Sequence, residues 1–310
     1  MVPLSYERHQ RYHLATKPMT ADFITLLHGA DRCELYPRIG GSIGGWTVEG
    51  QPMFRAATAA KIAARDAFGM ASFPLVPYSN RIAQGRFEWN GNLITLARNF
   101  PPEPHSIHGV GFESPWLCTE RTDSSALLTL IHEPNPGWPW PFEARQRITL
   151  ADRELVLELH AVNSGSHPVP LAFGHHPYFP LPGAQLTFRA RSVWLKGDDD
   201  LPREQVVPSG QFDFSRAAPV ERADIDHCFT SWSGPARIEW PDRPLALEIS
   251  GSPELSAAVV YVRSGADGFC FEPVPHINNA LNLRGYEPAM PIVAPGAAFS
   301  ARIRFRAPAR

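Results

Sequence analysis

The chain has 310 residues, enough for one large β or α/β domain or two smaller ones with a real core. Its 29 basic and 31 acidic residues give a net charge of −2 with no long run of either sign, so no electrostatic footprint for nucleic acid or an anionic membrane is present. Pro (32) and Gly (23) are abundant while charged residues make up only 19%, which favours many short strands joined by turns over long helices.

The opening segment MVPLSYERHQRYHLATKP lacks a basic-then-apolar signal, and no uninterrupted apolar run reaches about 18 residues. Cys33, Cys118, Cys228 and Cys270 lie far apart without a ligand spacing. A cytoplasmic chain with reduced thiols is expected.

Only residues 55–68, RAATAAKIAARDAF, read as helical, and that segment is Ala-driven and short. In RFEWNGNLITL (86–96), Phe87 and Trp89 alternate with Arg86 and Glu88, and Asn90-Gly91 supplies the positive φ of a tight hairpin turn. QRITLADRELVLELHAVNSG predicts two strands about a turn at Ala151 to Arg153, with Leu155, Leu157 and Leu159 on one face. The acidic stretch KGDDDLPREQVVPSG (196–210) reads as a surface loop. ARIEWPDRPLALEIS repeats the two-strand design, Ile238 and Trp240 leading in and Leu245, Leu247 and Ile249 leading out. SARIRFRA sets Ile303 and Phe305 against Arg302, Arg304 and Arg306, a strand with one wet face. With no linker, repeat or low-complexity tract, residues 1–310 read as a single all-β domain of two packed antiparallel sheets.

Four segments set titratable groups beside proline and aromatic residues: PLVPYSNRIAQGRF (74–87), HSIHGVGF (105–112), GHHPYF (174–179) and FCFEPVPHINNALN (269–282). Asn80 and Arg81 could simply cap a turn, and His108 could be a loop histidine with no task. A bland role suits Glu272 less well, because it follows an apolar strand where an unpaired carboxylate is costly. His105, His108, His175 and His176 offer nitrogen ligands, but adjacent histidines on a strand point to opposite faces and no HxH or HExxH spacing accompanies them. No metal set is therefore expected. The same alternation lets one of His175 and His176 face a pocket, with Pro177 holding the chain extended. A histidine so placed can donate a proton near neutral pH, with Glu272 as its partner base.

Taken in order, these segments resemble the aldose 1-epimerases, also called galactose mutarotases. PLVPYSNRIAQGRFEWNG is similar to that family's N-R-I-x-x-G-x-F segment, HSIHGVGF to its H-G segment and GHHPYF to its G-x-H-P-Y-F segment. DIDHCF (224–229) resembles the segment with a substrate-binding aspartate, FCFEPVPHINNALN the C-terminal glutamate segment, and YPRIGGSIGGWTVEGQPM the opening strand. The matches run from about residue 22 to about 305. The resemblance implies the large antiparallel β-sandwich of that family, the galactose mutarotase-like supersandwich. It implies interconversion of α and β anomers of a free aldose by acid/base ring opening and reclosure, with no metal and no organic cofactor. By position, His176 is the general acid and Glu272 the general base. Arg81, His108 and Asp226 hold sugar hydroxyls, with Asn80 in support. Asp226 is chosen over Asp224 because the family pattern runs aspartate, one or two polar residues, then Phe. Two alternatives stand beside this expectation, a hexose-6-phosphate mutarotase and a non-catalytic carbohydrate-binding sandwich. The expected partner is a small-molecule sugar, with no nucleic acid or membrane, met by a monomer or homodimer.

Overall fold

The computed structural model describes residues 22–309, Ala223 excepted, so the opening segment read above lies outside the described residues. Among the described residues the chain forms two large antiparallel sheets. The first has eleven strands. Ten run in the order Ile24–His28, Asp31–Tyr36, Ser42–Val48, Ser72–Leu75, Gly174–Pro180, Gly268–Val274, Ala257–Val262, Ile225–Thr230, Ser192–Lys196 and Pro202–Val206, and Gln51–Pro52 pairs with Ser42–Val48. The second has nine strands, centred on Phe142–Ala151, Glu154–Asn163 and Ala298–Arg306. No helix among the described residues is long and apolar enough to cross a membrane.

Period-2 patterning decides which side chains enter the core. Leu155, Leu157 and Leu159 are all buried, as are Ile303 and Phe305, while Arg302, Arg304 and Arg306 on the same strand are exposed. Ile238, Trp240, Leu245, Leu247 and Ile249 are buried too. One continuous apolar cluster joins the inner faces of both sheets. Asn90 and Gly91, at φ 49° and 76°, close the hairpin between Arg86–Trp89 and Asn92–Thr95, which stands apart from the two large sheets.

Two local expectations are corrected. The helical reading of 55–68 shrinks to Ala59–Ala63 and a 3₁₀ turn at Ala67–Gly69. Before the helix, the backbone has other partners: Arg55 N–H donates to the Tyr178 carbonyl and Ala57 N–H to that of Gly44. Thr58 then caps the helix by accepting from Lys61 N–H, and Arg65 leaves it at φ 55°. Residues 196–210 are not simply a surface loop, because Pro202–Val206 pairs with Ser192–Lys196 and makes the segment a hairpin. The tip of that hairpin bends onto the groups described next.

Candidate active site

The strands Gly174–Pro180 and Gly268–Val274 are antiparallel neighbours, with Tyr178 opposite Cys270. Two residues further along each strand, the same register sets His176 against Glu272 on the same face. His176 Nε2 and Glu272 Oε1 are 3.3 Å apart, and both side chains are almost wholly buried. Glu272 Oε2 has no hydrogen-bond partner. Burial drives each member toward its neutral form: Glu272 rises well above the usual carboxylate range, with Asp226 adding to the rise and Arg81 opposing it. His176 is pushed down to about 3 by burial, partly offset by its own backbone. Burial thus favours the neutral pair, with the shared proton on Glu272. The imidazole is fixed between two aromatic rings, Phe73 stacked at 4.6 Å and Tyr178 at 4.8 Å.

His175 points the other way, into the core between the sheets. Its Nδ1 is bonded to Ser72 Oγ and its Nε2 lies 3.1 Å from Gln146 Oε1 of the second sheet. Both ring nitrogens are spent on packing the core. His105 is likewise engaged on both sides, Nδ1 accepting from Gln84 N–H and Nε2 lying 2.9 Å from the Asp199 carbonyl oxygen.

Arg81 and His108 are brought in by two connections that clasp each other. Asn80, at φ 57°, donates its N–H to His108 Nδ1 (3.1 Å) and accepts from His108 N–H through its carbonyl (3.0 Å), and Arg81–Ile82 pairs with Ser106–Ile107. Because Nδ1 is an acceptor here, the proton of neutral His108 sits on Nε2. His108 stays neutral, its pKa held well below the usual value by burial, then by His176 and Arg81. Gly109 is required beside it: at φ 72°, a Cβ there would lie 2.3 Å from the Val76 carbonyl oxygen.

Arg81 donates through Nη1 to Asp226 Oδ2 (3.1 Å) and through Nε to Glu103 Oε1 (3.4 Å), and Asp200 Oδ2 lies 3.7 Å from Nη2. Burial alone would lower its pKa, but these three carboxylates together raise it. Lys196 reaches Asp200 and also Asp226, the latter at 3.6 Å. Asp224 lies outside this network, exposed and accepting from Ser264 N–H.

Asn80, Arg81, His108, His176, Asp226 and Glu272 all line one cavity of 210 Å³, so the structure gathers the whole residue set named from the sequence. Since His175 fills the core face of its strand, the cavity lies on the opposite face of the eleven-stranded sheet. Its volume falls below the ~300–1,000 Å³ of drug-sized sites and suits one small ring. A larger groove of 650 Å³ crosses the solvent face of the nine-stranded sheet, where Arg147–Glu120 and Arg302–Glu158 pair, but no buried acid-base pair lines it.

The cavity also takes in Glu103, Tyr178, Tyr261 and Arg263, and Asp200 stands behind Arg81, none of which the sequence had marked. Tyr178 was within reach, since it lies two residues beyond His176 on one strand and so shares its face. Glu103 and Asp200 carried no local signal, because only the tertiary fold delivers them to Arg81.

Comparison with known proteins agrees with this fold. The family description "Aldose 1-epimerase" matches residues 22–306. The chain belongs to that family. Among relatives of this aldose 1-epimerase family member, the uncharacterized protein YphB of Escherichia coli K12 is 31% identical over 262 residues, covering 81% of this chain and 87% of YphB. The Escherichia coli K12 aldose 1-epimerase is 24% identical over 197 residues, 59% of this chain and 55% of that protein. The crystal structure of a candidate aldose 1-epimerase from Escherichia coli K12 superposes with a TM-score of 0.85 at 28% identity, covering 93% of this chain and 99% of the other. Galactose 1-epimerase from Lactobacillus acidophilus, at 17% identity and a TM-score of 0.76 over 92% and 93% of the two chains, shares the galactose mutarotase-like fold.

Proposed function

We propose that the chain is a mutarotase for a free aldose, with Glu272 and His176 moving the protons. The observation that carries this reading is the buried 3.3 Å pair with one carboxylate oxygen unpartnered. Ring opening of a cyclic aldose needs a base at the anomeric hydroxyl and an acid at the ring oxygen. Both oxygens are bonded to C1, so base and acid must be neighbours. The shared proton passes from Glu272 to His176; Glu272 as carboxylate then takes the hydroxyl proton while His176 as imidazolium protonates the ring oxygen; the C1–ring oxygen bond breaks and C1 becomes an aldehyde. After rotation about C1–C2, His176 takes the proton of the released hydroxyl and Glu272 returns one to the carbonyl oxygen, closing the other anomer. The pair holds one exchangeable proton before and after ring opening, and only its location changes.

His108 would donate from Nε2–H to a sugar oxygen. Arg81 and Asp226 would hold neighbouring hydroxyls, with Asn80 fixing the backbone between them. Arg81→Ala and Asp226→Ala are each expected to lower kcat/KM about 10- to 100-fold, the worth of one charge-assisted hydrogen bond, and His108→Ala, which removes a neutral one, about 2- to 10-fold. Unchanged kcat/KM in all three would remove these binding roles.

The charge at the cavity favours a neutral sugar over a hexose 6-phosphate. Arg81 and Lys196 are already paired with carboxylates, and Asp226, Glu103 and Asp200 would repel a phosphate, which leaves the exposed Arg263, over the Tyr261 ring, as the cavity cation outside these pairs. Anomer relaxation of freshly dissolved galactose, glucose and arabinose, followed by polarimetry beside glucose 6-phosphate, tests both points. Acceleration is expected for at least one free aldose, with a lower kcat/KM for the phosphate ester. No acceleration of any sugar would instead favour a non-catalytic carbohydrate-binding sandwich.

A further inference from the structure

We infer that the proton-transfer pair doubles as an inhibitory site for a thiophilic divalent cation, with Cys270 as the third ligand. Cys270 lies two residues before Glu272 on the same face of Gly268–Val274, and its Sγ is 3.6 Å from His176 Nδ1. One ligand atom from each of His176, Cys270 and Glu272 lies within 4.8 Å of the others, and all three residues are buried. This is the one such three-donor group among the described residues. The second observation is Glu272 Oε2, buried without a partner in a cavity-lining residue.

The donor set selects the ion. Imidazole nitrogen, thiolate sulfur and carboxylate oxygen suit zinc or cobalt, whereas magnesium and calcium require shells of oxygen. Three protein ligands with the cavity at the fourth position make an open, tetrahedral type of site. Nε2 of His176 faces Glu272 and Nδ1 faces Cys270, so the ligand on one side must swing round to reach an ion on the other. Binding releases two protons to water, that of the Cys270 thiol and the one held by the His176–Glu272 pair. The inference concerns an inhibitor and not a resident cofactor, because the bound ion occupies both groups that must move protons. Zinc and sugar therefore exclude each other. The fold also fixes which thiol takes part: Cys33, Cys118 and Cys228 are buried elsewhere, outside this group.

Inhibition rests on the mutarotase reading, but binding does not, so the experiment measures both. Cobalt(II) added to the full chain is expected to give a thiolate-to-cobalt charge-transfer absorption that Cys270→Ser abolishes and Glu272→Gln weakens by about tenfold or more in cobalt affinity. Zinc titrated into the mutarotation assay is expected to raise KM for the sugar with kcat unchanged, and Cys270→Ser should shift the half-inhibiting zinc concentration upward by about tenfold or more. Circular dichroism matched to that of the parent checks that each variant is folded. A cobalt spectrum without the thiolate band, or one that persists in folded Cys270→Ser, overturns the site whatever the assay shows. Equal zinc inhibition of parent and Cys270→Ser overturns it as well. A thiolate band in a protein that accelerates no sugar would keep the metal site and defeat the mutarotase reading alone.

Discussion

Glu272→Gln and His176→Asn are each expected to reduce catalysed mutarotation by about 10²- to 10⁴-fold, the usual worth of a positioned acid or base. Glu272→Gln is isosteric, and His176→Asn trims a ring that faces the cavity, so the core between the sheets is not perforated. The glutamine amide cannot accept a proton in the required step, and the asparagine cannot deliver one. Because the pair works on one shared proton, the double variant should be little worse than either single one. His175→Asn should behave differently: its ring faces Ser72 and Gln146 in the core, so the loss falls on stability and leaves the surviving folded fraction active. Rates per folded molecule, with the folded fraction taken from denaturant titration, separate the two cases. Folded Glu272→Gln retaining most of the parent rate would defeat the assignment, and so would equal losses of specific activity for the two histidine variants.

Stability should fall steeply with acid, beginning well above the carboxylate range. His175 and His176 are held down to about 3 and His276 to about 4, in each case by burial first, and His108 lies well below its usual value. The unfolded chain titrates these rings near 6.5, so as pH falls through that value it binds protons that the fold refuses. Their contribution is present above 6.5 and is lost progressively down to about 3. Glu272 works against them. Its raised pKa means that the fold keeps a proton above 4.5 that the unfolded chain releases, so its own contribution is lost as pH rises. Between 5 and 6 these four histidines outnumber it, so these five groups alone give a net uptake of up to three protons on unfolding. At about 1.4 kcal/mol per proton and pH unit, the limiting slope is about 4 kcal/mol per pH unit, a large part of a typical domain's total stability. The denaturant midpoint should drop sharply from pH 7 to pH 5. A midpoint that stays level over that interval would mean that these rings are protonated in the fold.

The strands were legible because their signal is local. Leu155, Leu157 and Leu159, or Ile303 and Phe305, declare the buried face through period 2, and Asn90-Gly91 declares its own turn. The opposite orientations of His175 and His176 followed from the same rule. The helix at 55–68 was overestimated because alanine content reports propensity alone, and the backbone of Arg55 and Ala57 is claimed by neighbouring strands. The acidic stretch after Lys196 looked like a solvated loop, since nothing in it shows that Asp200 will meet Arg81. Cys270 lay far from the other cysteines and in no ligand spacing. Alternation puts Glu272 on the face of Cys270, and only the pairing of Tyr178 with Cys270 brings His176 to them.

The cavity divides its labour between two kinds of backbone. His176 and Glu272 stand on adjacent strands in the middle of the eleven-stranded sheet, whereas Asn80, Glu103, His108 and Asp200 stand on connections or at their ends. Connections accept insertions and exchanges that central strands do not. Divergence within such a lineage would therefore retune which hydroxyl pattern is accepted while the chemistry stays unaltered. A library randomised over residues 98–105 and 197–201 should likewise change the preferred aldose and leave the proton-transfer step intact.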